Sequence, residues 1–145
     1  MASAINYPDA LAASSLAGCY DPAPILLTDP SDLTAEVKEQ IQKLNPSFIY
    51  IVGGESAVSS TVEDQLRANS QAYIQRLSGQ TRYETSLRVA KTAYNVANIG
   101  EEAPWQVIIA TGTNFADALS VSPFAYWAKC PFFCATLRPV YRTTH

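Results

Sequence analysis

The hydrophobic and polar positions of the chain repeat one pattern, in which a β-branched apolar run leads through a turn into an amphipathic segment. The run from Ile25 to Thr28 predicts a short buried strand, and the run from Phe48 to Val52 predicts a second. A third run, Val107 to Ala110, precedes Gly112 and a helix that begins near Asp117. Because strands that alternate with helices favour a parallel sheet covered by helices, the pattern predicts an α/β fold.

The helices are predicted from apolar residues that recur every three or four positions. These residues are Leu33, Val37, Ile41 and Leu44 in the first helix, Val58, Val62 and Leu66 in the second, and Leu87, Ala90, Tyr94 and Ala97 in the third. Two pairs, Ser60 with Glu63 and Thr81 with Glu84, have the spacing of capping boxes and predict helix N-termini. Pro46 is predicted to stop the first helix.

One phrase occurs twice in the chain. "NYPDALAASSLAG" begins at Asn6, and "NFADALSVSPFAY" begins at Asn114. The two copies align without a gap, so that Asp9 matches Asp117 at an offset of 117 − 9 = 108 residues. An offset of this size is about the length of one compact domain. We therefore expect one unit followed by the opening of a second.

The two copies differ in what precedes them. The second copy follows the predicted strand "VIIATG", whereas no strand is predicted before the first copy. The first unit is thus expected to lack its opening strand. A helix at residues 82–97 and a strand at 107–111 could supply the missing parts, either within the chain as a permuted unit or in a partner by a swap.

Composition restricts the class of protein. Of the 145 residues, 48% are hydrophobic and 16% are charged, which is typical of a globular chain. No apolar run approaches the roughly 18 residues of a membrane span. Residues 1–20 show neither the positive region nor the apolar core of a secretory signal peptide. We expect no interaction with a membrane.

The net charge of −3 hides an asymmetry. Residues 1–75 hold nine acidic and three basic residues, a net charge of −6, while residues 76–145 hold four acidic and seven basic residues, a net charge of +3. This distribution either arises by chance on a solvated surface or offers cations to an anionic ligand. Neither part is basic enough to indicate general nucleic-acid binding.

Catalytic and metal-binding patterns find little support. The single histidine is His145, and Cys130 and Cys134 have no further cysteine or histidine near them at zinc-ligand spacing. With Cys19 the cysteines number three, which gives no disulfide framework. Glu55 is the one acidic residue at a plausible site edge, and a lone glutamate in such a place is more often a surface residue. We therefore expect a non-enzymatic protein without a metal or cofactor.

Three features suggest a polar binding site. Gly53 and Gly54 follow a predicted strand at the carboxyl edge of the sheet, where turn N–H groups either hold an anion or serve the turn alone. Asp9 and Asp117 lie in the first turn of their helices, as N-terminal charges or as ligand contacts. Arg82 could bind a phosphate or carboxylate, or pair internally with either aspartate.

Five phrases follow one another along the chain: "NYPDALAASSLA", "APILLTDPSDL", "IYIVGGESAVS", "RLSGQTRYETS" and "VIIATGTNFADALS". In this order they closely resemble the cell wall binding repeat 2 family of Gram-positive surface proteins. The resemblance implies a Rossmann-like or Toprim-like three-layer α/β unit with a mostly parallel sheet, usually present in three tandem copies. It also implies an extracellular module that holds a protein on the cell wall non-covalently by binding an anionic secondary polymer.

If repeats begin where they usually begin in this family, residues 1–75 are expected to be the rear part of one repeat and residues 76–145 the front part of the next. The two parts could also form a single permuted domain. The second copy departs from the family pattern, because "PFFCATLRPVYRTTH" stands where the Pro-Ile-Leu-Leu phrase should recur, and the tail after Cys134 matches nothing in the family. Residues 131–133 could still form a strand.

Two alternatives to anchoring remain. The chain could belong to a peptidoglycan hydrolase, an N-acetylmuramoyl-L-alanine amidase, whose catalytic domain lies elsewhere, or it could only pack against neighbouring copies of the repeat. The residues expected to contact a ligand come from the repeated phrase, the glycine turn and the "TRYET" segment. They are Asn6, Asp9, Gly53, Gly54, Ser56, Arg82, Tyr83, Thr85, Asn114 and Asp117.

Overall fold

The computed structural model describes residues 1–5, 7–20, 23–97 and 106–135. The strands are β1 (Ala2–Ser3), β2 (Leu27–Thr28), β3 (Phe48–Val52), β4 (Tyr73–Leu77), β5 (Ile108–Thr111) and β6 (Phe132–Ala135). The helices are α1 (Tyr7–Cys19), α2 (Ala35–Leu44), α3 (Ser60–Asn69), α4 (Arg82–Val96) and α5 (Phe115–Ala128). Strands and helices alternate, which confirms the predicted α/β fold.

The strands form two parallel sheets. Four of them make a sheet in the order β2-β1-β3-β4, and β5 pairs with β6 in a second sheet. β1 lies inside the larger sheet, where it pairs with both β2 and β3. The expectation that the first unit lacks its opening strand is therefore wrong. Ala2 and Ser3 are fully buried, but two residues are too few to show a periodic pattern in the sequence.

Besides β1, one further strand has no counterpart among the predictions. β4 pairs with β3 over its whole length, from Phe48 opposite Tyr73 to Val52 opposite Leu77. Its sequence "YIQRL" contains a glutamine and an arginine, which weaken the apolar signal of a strand. The first predicted strand is also shorter than expected, because only Leu27 and Thr28 of the run pair with a neighbour.

Helices cover both faces of the larger sheet. Ile49 and Ile51 of β3 face α2 and α3, whereas Tyr50 and Val52 face α1 and α4. The apolar faces predicted for α2 and α3 are largely confirmed by the residues that are buried there, namely Leu33, Ile41, Val58, Val62 and Leu66. Leu44 is 48% exposed, because it lies in the last turn of α2. The helix ends there, as Pro46 predicts.

The two predicted capping boxes have different outcomes. Thr81 caps α4, since its Oγ1 accepts a hydrogen bond from the Glu84 N–H at 3.2 Å. The box at Ser60 is wrong by one residue, because Ser59 is the N-cap of α3 and accepts from the Val62 N–H at 3.4 Å. Glu63, the other half of that predicted box, instead binds arginine side chains.

The predicted stripe on α4 is also mostly wrong. Leu87 is 41% exposed and Tyr94 is half-buried, so that only Ala90 of the stripe is fully buried. The face that packs against α1 and β6 consists of small and β-branched residues. It is formed by Thr85, Ser86, Val89, Ala90 and Ala93. Close packing favours short side chains here, and their weak hydrophobicity hides the face in the sequence.

The repeated phrase forms two neighbouring helices, α1 and α5. Tyr7 near the start of α1 contacts Phe115 at the start of α5, with ring centroids 5.3 Å apart. Near the other ends of the helices, Gly18 lies directly against the backbone of Tyr126. Both pairs are related by the repeat offset, 115 − 7 = 108 and 126 − 18 = 108. The two copies of the phrase therefore lie side by side, parallel and in register.

Gly18 allows this close approach, because a Cβ at that position would overlap the Tyr126 carbonyl oxygen. We expect Gly18→Ala to lower the free energy of unfolding by about 1–3 kcal/mol, since one helix must shift to make room for the methyl group. Urea unfolding followed by circular dichroism measures the change.

Gly54→Ala is the matched control for this substitution. A Cβ at Gly54 would meet no atom within 4 Å, so its effect should stay within about 0.5 kcal/mol. Equal effects of the two substitutions would contradict the role given to the contact between α1 and α5.

Candidate functional site

A polar cavity lies at the carboxyl ends of β3 and β4, beside the first turns of α1 and α4. Its volume is about 170 Å³. It is lined by Pro8, Asp9, Gly54, Ser56, Ala57, Gly79, Gln80, Thr81, Arg82 and Thr85. Half of these residues are not among the sequence predictions, but Asp9, Gly54, Ser56, Arg82 and Thr85 are. The position agrees with the general preference of ligands for the carboxyl edge of parallel sheets.

The Gly53-Gly54 turn forms one wall, and Gly53 is required there for two reasons. Its φ of 116° is a conformation that residues with a side chain rarely adopt. A Cβ on Gly53 would also lie 2.6 Å from Oδ2 of Asp9. The Gly53 N–H donates to the Leu77 carbonyl at 2.9 Å, so the turn is fastened to the end of β4. The predicted glycine turn is present, and it brings Asp9 and Gly53 together.

The side chain of Arg76 on β4 binds the carbonyl oxygens of this turn. Arg76 is not among the residues predicted from the sequence. Its Nη1 donates to the carbonyl oxygens of Gly53 at 3.0 Å and Val58 at 2.8 Å. Its Nε and Nη2 donate to Oε2 of Glu63 at 2.9 and 2.7 Å. Both side chains of this ion pair are 17% exposed. Nothing in the local pattern of "YIQRL" indicates a partly buried, paired cation, although an arginine inside a strand is an unusual residue.

Glu63 is the counter-charge of this arrangement, and it also binds Arg67. Burial alone would raise the pKa of Glu63, but the hydrogen bonds from Arg76 and Arg67 outweigh it and hold the pKa below its usual range. The carboxylate is therefore ionised at neutral pH, and its charge compensates that of Arg76 beneath the turn.

Arg82 is the first residue of α4, and its side chain is exposed. Nη1 donates to the carbonyl oxygen of Gly112 at 3.0 Å, which links the start of α4 to the turn after β5. Of the two internal pairings considered from the sequence, neither is formed as an ion pair with Asp9 or Asp117 among the described residues. The remaining donors of the guanidinium can therefore serve a ligand in the cavity.

Asp9 is close enough to Arg82 to respond to its charge. Burial raises the pKa of the Asp9 carboxyl, the Arg82 guanidinium opposes this effect, and the pKa remains above its usual range. The carboxyl group thus lies in the half-buried wall of the cavity with a weakened preference for ionisation.

Thr85 and Tyr83 support the cavity in different ways. Thr85 is buried, and its Oγ1 accepts from the Gly79 N–H at 3.0 Å, which fixes the turn after β4. Tyr83 points to the other side, where its ring lies against Gly112 and packs on the core around Phe132. Tyr83 is not among the residues that line the cavity.

Of the remaining predicted residues, two do not line the cavity and one lies outside the described residues. Asn114 is the N-cap of α5, where its Oδ1 accepts from the Ala116 N–H at 3.2 Å. Asp117 is exposed in the first turn of the same helix. Neither residue lines the cavity. Asn6 lies outside the described residues.

The described residues contain no group of three or more His, Cys, Asp or Glu side chains that could hold a metal ion. None of their helices is both long enough and apolar enough to cross a membrane.

Comparison with known families agrees with this fold and with the repeated phrase. A sequence model of Cell wall binding domain 2 (CWB2) matches residues 1–63 and again residues 76–139. The chain belongs to the CWB2 family. The two matches show the repeat, and family membership gives the chain a role in cell wall binding.

Two curated relatives come from Bacillus subtilis (strain 168). The amidase enhancer is 38% identical over 105 residues, which cover 71% of this chain and 13% of that protein. The N-acetylmuramoyl-L-alanine amidase LytC is 34% identical over 120 residues, which cover 83% of this chain and 22% of that protein. The chain thus spans less than a quarter of either relative.

Two solved structures from Clostridium difficile share the fold. Cwp6 superposes with a TM-score of 0.80 and 29% identity, over 92% of this chain and 20% of Cwp6. Cwp8 superposes with a TM-score of 0.77 and 30% identity, over 95% of this chain and 23% of Cwp8. These superpositions confirm the α/β fold expected from the resemblance.

The ion pair beneath the glycine turn leads to a prediction. We expect Glu63→Gln to lower the free energy of unfolding by about 1–3 kcal/mol at pH 7, because Arg76 then loses a charged hydrogen-bond partner. Since the folded pKa of Glu63 is lowered, its stabilisation is present above the unfolded pKa of about 4.3 and is lost as the pH falls through the folded pKa. The deficit of the variant should therefore shrink at acidic pH in urea titrations.

Asp64→Asn is the control, because Asp64 is 76% exposed and pairs only with Arg67 at 3.3 Å among the described residues. Its effect should stay within about 0.5 kcal/mol at every pH. A deficit of Glu63→Gln that does not change with pH would contradict the charge-based explanation.

Proposed function

We propose that this chain anchors a protein to the cell wall non-covalently by binding an anionic secondary wall polymer. The proposed binding site is the polar cavity of about 170 Å³ beside Arg82, called the Arg82 cavity below. The observation that carries the proposal is the exposed guanidinium of Arg82, which has no ion-pair partner among the described residues and stands at the first turn of α4. A helix N-terminus favours negative charge through its free N–H groups and its dipole, and the guanidinium adds a full positive charge.

The other residues of the cavity fit a polymer that carries hydroxyl groups as well as charge. Ser56 is exposed beside Gly54, and its hydroxyl can donate to or accept from a sugar or phosphate oxygen. Asp9 would repel a phosphate when ionised, so a hydroxyl group of the ligand is the better partner for it. Its carboxylate oxygens can accept a hydrogen bond from such a hydroxyl.

The proposed affinity of a single cavity is modest. A volume of about 170 Å³ accommodates one phosphate or part of one sugar unit rather than a long segment of polymer. Repeated units on one surface raise the overall avidity, because every binding event after the first is intramolecular. Tandem copies therefore suit a repetitive polymer better than one deep pocket would.

We also propose that a neighbouring copy of the repeat packs on α5. In α1, Ala13 and Leu16 are buried against the larger sheet and α4. Their equivalents in α5 at the repeat offset are Val121 and Phe124, and Phe124 is 46% exposed. Val121 is partly buried against the core around Phe132, but the ring of Phe124 is exposed where its equivalent Leu16 is buried. An apolar side chain that is covered in one copy and exposed in the other supports a partner with the same architecture.

The context of the chain is proposed to be an extracellular protein with a separate activity. The names of the two Bacillus relatives point to wall-lytic systems, and the chain covers only a small part of each. We propose that this module is non-catalytic and only localises such a protein. Purified peptidoglycan should accordingly remain intact when it is incubated with this chain alone.

Co-sedimentation with purified Gram-positive walls tests the anchoring proposal. Half of the walls are stripped of phosphodiester-linked polymers by acid, and binding should be lost with the polymer. Arg82→Gln should weaken binding to intact walls about tenfold, since a charged hydrogen bond is removed. Binding should also weaken with added salt, as expected for exposed charges.

Arg88→Gln provides the matched control, because Arg88 is an exposed arginine on the same helix that does not line the cavity. It should bind walls like the unchanged protein. Equal binding to intact and stripped walls would overturn the polymer as the ligand, and equal losses in the two variants would overturn the assignment to Arg82.

A further inference from the structure

We propose that a row of four aromatic side chains at the amino ends of β3 and β4 is a second binding site, which takes an uncharged N-acetylated amino sugar of a wall glycan. This inference rests on the proposed wall-binding function. It uses none of the residues of the Arg82 cavity, so the two sites can fail independently.

The row consists of Tyr20, Tyr50, Phe48 and Tyr73, each in contact with the next. Ring centroids are 6.0 Å apart between Tyr20 and Tyr50, 6.5 Å between Tyr50 and Phe48, and 5.5 Å between Phe48 and Tyr73. The geometry follows from the sheet. Phe48 and Tyr50 are two positions apart on β3 and so share a face, and Phe48 is in register with Tyr73 on β4.

The outer half of the row is open to solvent. Phe48 is 53% exposed and Tyr73 is 63% exposed. The two rings are neighbours on adjacent strands, so they form one continuous apolar surface rather than two isolated exposed side chains. Such surfaces mark binding sites when polar groups border them.

The inner half of the row borders a cavity of about 410 Å³. Tyr20, Phe48 and Tyr50 line it together with aliphatic and proline residues such as Pro24, Leu44 and Pro46. This volume falls in the range of small-molecule sites, roughly 300–1,000 Å³. It is more than twice the volume of the Arg82 cavity.

The chemistry of this cavity selects an uncharged ligand. None of the described residues that line it has a carboxylate, ammonium or guanidinium side chain. The α-amino group of Met1 also lies here, where it donates to the Tyr50 carbonyl oxygen at 2.6 Å, and burial lowers its pKa to about 6. The polar side chains are Ser47 and the two tyrosines, whose hydroxyls are hydrogen-bonded to each other at 2.9 Å. Burial, together with the hydrogen bond between the Tyr50 and Tyr20 hydroxyls, raises the pKa of Tyr50, so its hydroxyl remains protonated.

An N-acetylated amino sugar matches these groups one by one. The C–H face of its ring can stack on Phe48 and Tyr73, and its hydroxyls can bond to the tyrosine hydroxyls. Its acetamido methyl group can enter the apolar cavity. A phosphate would find no lysine or arginine side chain among the described lining residues, and a purely apolar ligand would leave the two hydroxyls without use.

The two sites lie at opposite ends of the same strands. Phe48 begins β3 and Val52 ends it immediately before Gly53, a distance of four residues or about 13 Å along the strand. A polymer with both charged and neutral units could therefore contact the Arg82 cavity and the aromatic row of one module at once.

Titration with the trisaccharide of β-1,4-linked N-acetylglucosamine, followed by protein NMR, tests the proposal. Saturable binding is expected, with a dissociation constant on the order of millimolar. Tyr73→Ala should weaken it roughly three- to tenfold, because one stacking ring is lost, while Tyr73→Phe should retain it. Salt should have no effect on this affinity, unlike the effect expected for the anionic polymer.

Trp127→Ala is the matched control, since Trp127 on α5 is 77% exposed and thus more exposed than Phe48 and Tyr73, the two open rings of the row. It should bind the trisaccharide like the unchanged protein, which excludes stacking on any exposed ring. Tyr20→Phe preserves the aromatic ring and removes one hydroxyl, and it should weaken binding without loss of stability in urea.

Three outcomes would overturn the proposal. They are absence of binding by the folded protein, an affinity that Tyr73→Ala leaves unchanged, and a Tyr73→Ala variant whose main effect is a change of mass in light scattering. The last result would make the row a surface between protein copies. Loss of wall binding in Arg82→Gln with trisaccharide binding intact would leave both proposals standing.

Discussion

The structure depends on the close packing of α1 against its neighbours. Seven consecutive residues of this helix, Ala12 to Gly18, are buried, so it is covered on nearly all sides rather than along one stripe. The sheet lies on one side, and α4 and α5 lie on the others. Only small residues permit contact at backbone distance on several faces at once, and Gly18 marks the tightest of these contacts.

This packing also determines the candidate site. Asp9 belongs to the first copy of the repeated phrase, whereas Arg82 lies on α4, the helix that precedes the second copy. Arg82 donates a hydrogen bond to the carbonyl oxygen of Gly112, in the turn after β5. The cavity exists because α1 and α4 meet at their N-terminal turns above the ends of β3 and β4. A change that separates α1 from α4 would therefore remove the cavity even if every lining residue were kept.

The sequence predicts those helices and strands whose buried residues are strongly apolar and regularly spaced. β3 lies where its β-branched run predicts it, because the strand is packed between core residues on both faces of the sheet. α3 lies where its spaced apolar residues predict it, because those residues form its one buried face. β1 escapes prediction since two residues have no period, and β4 escapes because Arg76 interrupts its apolar run. The face of α4 escapes because it is built from alanine, serine and threonine.

The candidate site, too, is predicted only where a local sequence pattern indicates it. The glycine pair predicts the turn, and the spacing of Thr81 and Glu84 predicts the N-terminus of α4, so Arg82 could be placed at a helix start from the sequence. The role of Arg76 could not be predicted, since its partner Glu63 lies 13 residues away on another element. An ion pair of this kind depends on the packing of α3 against β4, which no local pattern records.

The parallel sheet gives the module a chemical polarity that relates the two proposed sites. All strands of the larger sheet end at the same edge, and the helices that follow them begin there, so their N-terminal N–H groups gather at that edge. The opposite edge receives helix C-termini, whose carbonyl groups disfavour anions. A positive residue such as Arg82 reinforces the first edge, and uncharged rings such as Phe48 and Tyr73 suit the second. Charged and neutral parts of a wall polymer would therefore be separated along the strands by the direction of the backbone itself.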